Sequence, residues 1–172
     1  IQSQAVTGHR VGIRDALAAF RPGDSCWAML DTLNHQNRLS FDQLQPGLRD
    51  AVEYDSRNVA RRYAAMVFSS AQLAQYDEII RDPRAWISKQ SGKATSELDA
   101  ELRALAFSRL ARQDREEGIQ ILNNTKLLGE KDKQWAYAQF GLVSVLNLED
   151  RSDRWYQLSE DVALSDYNAA WR

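Results

Sequence analysis

The stretch that most constrains this chain runs from residue 101 to residue 122. Leu98, Leu102, Leu105, Ala106 and Leu110 recur at helical spacing and form a continuous apolar stripe. Ala104, Ala106 and Ala111 keep that helix thin, so neighbouring helices can approach closely. A polar corner follows, Arg112-Gln113-Asp114-Arg115, and a shorter helix restarts at Glu116-Glu117 with Ile119, Ile121 and Leu122 as its apolar residues. Two antiparallel helices joined by a tight polar corner are the unit of a helical solenoid. No run of strict alternation bounded by turns appears, and eight glycines and three prolines are too few for a turn-rich all-β chain. The expected fold class is all-α.

Punctuation along the rest of the chain divides it into further helices. A first helix is expected over residues 2 to 20, with Ile13, Leu17 and Phe20 on one face, stopped by Arg21-Pro22-Gly23-Asp24. Asp24 or Ser25 caps a second helix carrying Trp27, Leu30 and Leu33 to about Gln36. Ser40-Phe41-Asp42-Gln43 has the capping-box pattern, and the helix behind it reads as short and interrupted at Pro46-Gly47 before continuing to Tyr54. Ser56 opens a fourth helix with apolar residues around most of its circumference, which predicts neighbours on both sides. Ser69-Ser70 starts its shorter partner. Asp82-Pro83 ends that one and seats Pro83 in the first turn of the next, up to about Lys89. Ser91 to Ala94 is a polar loop, and Ser96 with Asp99 caps the central helix. Glu130 to about Asn147 is a long helix with Trp135, Ala138, Leu142, Val145 and Leu146 on one side and Ala136, Phe140 and Val143 on another. Asp150-Arg151-Ser152 breaks it, Trp155 and Leu158 belong to a short helix, and Ser165 or Asp166 caps a last one. Long-short pairs recur near Val59, Leu102 and Trp135, a spacing of roughly 33 to 43 residues that suits helical-pair repeats.

Several function classes are disfavoured by composition. Net charge is −2, with 22 basic against 24 acidic residues alternating as in Arg49-Asp50 and Arg81-Asp82. A nucleic-acid binder needs a basic excess on one face, so no nucleic-acid partner is expected. Apolar runs are only a few residues long, such as residues 64 to 68, so no membrane span is expected. The chain begins at Ile1 with no charged-then-apolar leader, as expected if an export signal has been removed or the chain starts inside a longer protein. Cys26 is the single cysteine and reads as a small hydrophobe near Trp27 and Leu30.

Catalytic motifs are missing. His9 and His35 are the only histidines, and no set of ligands converges at metal-binding spacing, so neither a metal nor another cofactor is expected. There is no Gly-rich phosphate loop and no Gly-x-Ser-x-Gly elbow. The acidic pairs Glu97 with Glu101 and Glu116 with Glu117 read as helix first-turn residues complementing the dipole. The tryptophans, Trp27, Trp86, Trp135, Trp155 and Trp171, occupy helical positions among other apolar residues, where large rings fill core. Trp86, beside the loop from Ser91 to Ala94, is the least securely buried of them and is the one candidate for stacking on a sugar ring.

Ala-Phe-Ser-Arg-Leu-Ala-Arg-Gln-Asp, residues 106 to 114, resembles the superhelical region of the soluble lytic murein transglycosylases of Gram-negative bacteria. Weaker similarity runs from about Asp24 through Trp171. The resemblance implies a curved helical solenoid of about ten antiparallel helices, with residues 1 to 172 forming one segment of a larger ring-like domain. It implies a periplasmic location, where disulfides persist, so a partner for Cys26 upstream of Ile1 is one expectation. Enzymes of this family cleave the bond between N-acetylmuramic acid and N-acetylglucosamine in peptidoglycan to 1,6-anhydro products, without a metal. Their catalytic glutamate lies in a Glu-Ser pair, followed by Gly-Leu-Met-Gln and Tyr-Asn-Ala-Gly motifs. This chain has no Glu-Ser; Gly141-Leu142-Val143 and Tyr167-Asn168-Ala169-Ala170 match the other two only in part. No catalytic residue is carried over. The implied role is a scaffold that shapes the ring and positions glycan strands for a catalytic domain of the same protein. The alternative is a helical interaction module that takes a partner helix or peptide on its concave face. Uncapped solenoid ends would favour self-association.

Overall fold

The structure, a computed structural model, describes residues 12 to 148 together with residues 154 and 157. Among the described residues the fold is all-helical: α1 (Ile13–Ala18), α2 (Asp24–His35), α3 (Phe41–Glu53), α4 (Arg57–Val67), α5 (Ser70–Arg81), α6 (Pro83–Ser88), α7 (Glu97–Gln113), α8 (Arg115–Asn124) and α9 (Glu130–Leu146). The expectations for Asp150 to Ser152, for Trp155 and Leu158, for the cap at Ser165 or Asp166, and for most of the first helix lie outside the described residues.

Local signals set most of the boundaries. Gln43 Oε1 accepts the Ser40 amide at 2.9 Å, forming the glutamine half of the capping box. At α5 both halves form: the Ser69 amide donates to Gln72 Oε1 at 3.1 Å, and the Gln72 amide to Ser69 Oγ at 3.4 Å. Asp82 Oδ1 accepts the Ala85 amide at 2.9 Å with Pro83 at the head of α6. Ser96 Oγ accepts the Asp99 amide at 3.1 Å while the Asp99 carboxylate accepts the Thr95 amide at 2.9 Å. Each bond satisfies an amide that the helix start leaves without an intrahelical partner.

Four expectations about helix ends and lengths are corrected. Neither Asp24 nor Ser25 caps α2; Gly23 occupies the cap and Asp24 is a first-turn acid. Pro46 does not interrupt α3, which runs unbroken past it. The proline removes one donor to the carbonyl of Asp42, an exposed residue, and burial of Leu44, Leu48 and Ala51 offsets the loss. The polar corner after α7 is a single residue, Asp114, which ends α7 and caps α8 by accepting the Glu117 amide at 3.1 Å. The first long-short pair is not one, since α4 has 11 residues and α5 has 12, whereas α7 with 17 and α8 with 10 fit the pattern.

Packing is centred on α7, whose main partners are α3, α5, α6, α8 and α9. Residues 101 to 108 are all buried, more than two full turns, so no face of α7 meets solvent there. The apolar stripe is therefore only part of a helix covered all round. Ala104, Ala106 and Ala111 are fully buried, as a close approach requires. Helix α4 packs between α3 and α5, as expected, but it is not apolar all round: Arg57, Asn58, Arg61, Arg62 and Ala65 form an exposed face. Leu146, expected on a buried side of α9, is instead 62% exposed. At the N-terminal end Phe20, Trp27 and Tyr63 meet edge-to-face, with centroids 4.9 to 6.0 Å apart, and the Arg62 guanidinium lies 4.4 Å from the Trp27 ring centre. Such aromatic pairs add about 0.5–1.5 kcal/mol each beyond area burial.

Gly118 fixes how closely α8 approaches its neighbours. A Cβ there would lie 2.8 Å from Phe140 Cζ on α9 and 3.0 Å from Leu110 Cγ on α7, both on residues 1% exposed. An exposed helical Gly→Ala change normally stabilises by about 1 kcal/mol. Gly118→Ala is expected to reverse that sign and destabilise by about 1–3 kcal/mol, read as a lower urea midpoint at unchanged m-value; a stabilised variant would show the contact is not tight.

Candidate functional site

The strongest concentration of buried polar chemistry is a seam where α3, α7 and α9 meet. Gln45, Arg49 and Glu53 recur every fourth residue on α3 and so lie on one face. Glu101 on α7 is 1% exposed and takes three donors: Arg49 Nη2 at 2.6 Å, Arg49 Nε at 3.0 Å and Gln45 Nε2 at 2.6 Å. Arg49 also donates to Asp132 Oδ1 of α9 at 2.7 Å and lies 4.4 Å from the centre of the Trp135 ring. One turn on, the Glu53 carboxylate accepts from Trp135 Nε1 at 3.1 Å and Gln139 Nε2 at 3.0 Å. Ser108 of α7 donates from Oγ to Gln139 Oε1 at 3.5 Å, completing a polar ladder through an apolar core.

The electrostatics favour a clamp. Burial alone would lower the Arg49 guanidinium's pKa, but Glu101 and then Asp132 outweigh it and hold it above its ordinary value. Glu101 therefore faces a permanent cation with its oxygens already accepting hydrogen bonds. A general base needs a lone pair aimed at substrate, and the Glu101 oxygens are already engaged by Arg49 and Gln45. Among the described residues, no group of three or more His, Cys, Asp or Glu side chains is placed to hold a metal ion.

The acidic pairs separate in the structure. Glu97, Glu116 and Glu117 are first-turn residues, and Glu117 pairs with Arg84 at 2.6 Å. Glu101 is not one. It is the fifth residue of α7, buried, and belongs to the seam. Trp86, the candidate for glycan stacking, lies in α6 and is 3% exposed, less than Trp135 at 4% or Trp27 at 6%. Its nearness to the loop does not open it, because α6 packs its apolar side onto α7. Trp155 and Trp171 lie outside the described residues. Cys26 is half-buried, and His35 sits exposed in the last turn of α2.

What the sequence reading missed is the seam itself. Its one local signature was the fourfold spacing of Gln45, Arg49 and Glu53 among Leu44, Leu48 and Ala51; the acceptors and donors they meet are 52 to 86 residues away. Two further arginines belong to the same logic. Arg112 Nη2 donates to the carbonyls of Glu53 and Val52 at the end of α3, and Arg109 Nε to that of Ile80 near the end of α5. Cations from α7 thus meet the negative ends of two helix dipoles.

Removing one partner of a buried ion pair leaves an uncompensated charge. Glu101→Ala is expected to lower the unfolding free energy by about 3–5 kcal/mol, and Arg49→Met combined with Glu101→Leu to recover most of that loss; chemical denaturation measures both. Asp50 behaves oppositely. Its Oδ1 is buried with no hydrogen-bond partner, and burial pushes its carboxyl pKa above the ordinary value. A carboxyl raised on folding binds its proton more tightly in the native state, so its contribution is present below the unfolded pKa and lost as pH rises through the folded one. Asp50→Asn is therefore expected to leave stability near its original level at about pH 3 and to raise it at about pH 7. Thermal denaturation at the two pH values checks this, and equal shifts at both would refute it.

Comparison of the chain with protein-family models, with curated proteins and with solved structures finds no match.

Proposed function

We propose that this chain is a non-catalytic scaffold, a segment of the curved superhelix of a periplasmic lytic transglycosylase acting on peptidoglycan. The reading starts from the resemblance carried by residues 106 to 114. The observation that supports it is how the molecule uses its polar side chains there. Arg109 and Arg112 reach helix ends, Ser108 joins the seam, and Asp114 caps α8, while Phe107, Leu110 and Ala111 are core. Every one of those residues has a packing task. A stretch built for assembly rather than turnover suits a part that gives shape.

The superhelical arrangement belongs to the same proposal. Apart from α3 with α7, the main packing partners of α3 to α9 are one or two helices apart along the chain, as in a stack of helix pairs. Glycan strands would then be held on the concave surface of the stack, with cleavage carried out by a catalytic domain of the parent protein. No helix among the described residues is long and apolar enough to cross a membrane.

The test is to incubate the purified chain with isolated sacculi, then assay the pellet for bound protein and the supernatant for anhydro-muropeptides by mass spectrometry. Bound protein without product is expected. Release of anhydro-muropeptides would overturn the scaffold reading. A chain that leaves sacculi untouched would count against any role in holding glycan.

A further inference from the structure

A second cluster of polar chemistry lies on the other side of α7, between α3, α4 and α5. A small cavity of about 30 Å³, partly open to solvent, has a mostly apolar wall that includes Ala51, Tyr76 and Leu105, and four charged side chains at it: Asp55, Arg57, Arg109 and Arg112. That is three cations against one anion, in a protein whose net charge is −2. The single carboxylate is poorly engaged. Asp55 Oδ1 lies 3.8 Å from Arg57 Nε and 3.7 Å from Arg109 Nη1, whereas charge-assisted hydrogen bonds run about 2.7–2.9 Å.

Each guanidinium carries five N–H donors. Arg109 commits Nε to the Ile80 carbonyl, and Arg112 commits Nη2 to the carbonyls closing α3. Arg112 Nε is buried with no partner at all. Burial, and then the charge of Arg57, pushes the Arg109 pKa down, so the cluster disfavours its own cations. The adjoining start of α4 adds no relief, since Ser56 makes no side-chain cap bond and the first turn holds no acid. Asp55 is itself held at φ +52, in the left-handed region, at the lip of the cavity.

We propose that Arg57, Arg109 and Arg112 form a binding site for a small oxyanion, a phosphate group or a carboxylate, seated in this cavity. Its size admits about two water molecules, which suits a single phosphate or carboxylate group and not a nucleotide. The anion would take the uncommitted N–H donors and neutralise the excess positive charge. Arg109 and Arg112 are pre-oriented by their carbonyl bonds, and Arg57, with a side chain 63% exposed, supplies the solvent-facing side. This site is independent of the scaffold reading.

Isothermal titration of the full chain at constant ionic strength, with inorganic phosphate in one arm and acetate in another, tests it. Saturable one-to-one binding of at least one anion is expected. Response to phosphate alone assigns a phosphate ligand, and response to acetate assigns a carboxylate. Arg109→Gln and Arg57→Gln are each expected to weaken binding about tenfold or more. Arg61→Gln, which removes an exposed arginine paired with Asp77 at 3.0 Å, should leave it unchanged. Arg57 is exposed enough that its variant folds even where Arg109→Gln does not. No saturable binding of either anion, or equal losses in Arg57→Gln and Arg61→Gln, would overturn the proposal.

Discussion

The structure depends on the bond between Arg49 and Glu101. Helix α7 is covered on every side from residue 101 to residue 108, so a charge carried there must be matched inside the protein. Glu101 would be untenable alone, since an isolated carboxylate out of water costs several kcal/mol. Arg49 and Gln45 resolve this from α3, and Arg49 reaches on to Asp132, so one guanidinium ties three helices. Such links add little net stability compared with well-packed apolar groups, but they are directional. A slip of α3 along α7 would strand at least one buried charge, which gives the seam a role in register as well as in cohesion.

Arginine does comparable work elsewhere. Arg103, 4% exposed, pairs with Asp99 at 3.1 Å and donates to the carbonyls of Gly92 and Leu127. It thereby anchors the loop before α7 and the one after α8 to the same helix. Its partner Asp99 would have its carboxyl raised by burial, yet the Thr95 amide and Arg103 prevail and hold it below the usual carboxylate range. The four buried or half-buried arginines that touch α7 reach carboxylates and carbonyls that the apolar packing leaves over. The core is apolar in bulk and ionic at its joints.

Local chemistry was legible in the sequence and distant chemistry was not. Ser40 with Gln43 and Ser96 with Asp99 announce helix starts because donor and acceptor lie within four residues. Pro46 misled because its cost is local while the compensation, burial of Leu48 and Ala51, comes from tertiary packing. Glu101 misled for the same reason: nothing within a turn of it tells a solvated acid from a buried one, and its partners lie on another helix. The arginine cluster around the cavity was invisible for that reason too, since Arg57 is far in sequence from Arg109 and Arg112. Trp86 was placed near a loop correctly, but a loop nearby does not make a side chain exposed.

Helices that rest only on their neighbours along the chain can open piecemeal. The way α3 is fastened to α7 and α9 alters that expectation here. Releasing α3 would strand Glu101 and uncover the terminal carbonyls held by Arg112. The single-residue corner at Asp114 leaves α8 no slack to detach while α7 stays folded. Opening of α3 is therefore expected to cost contacts of α7 and α9 as well, so that these three helices open together rather than one at a time.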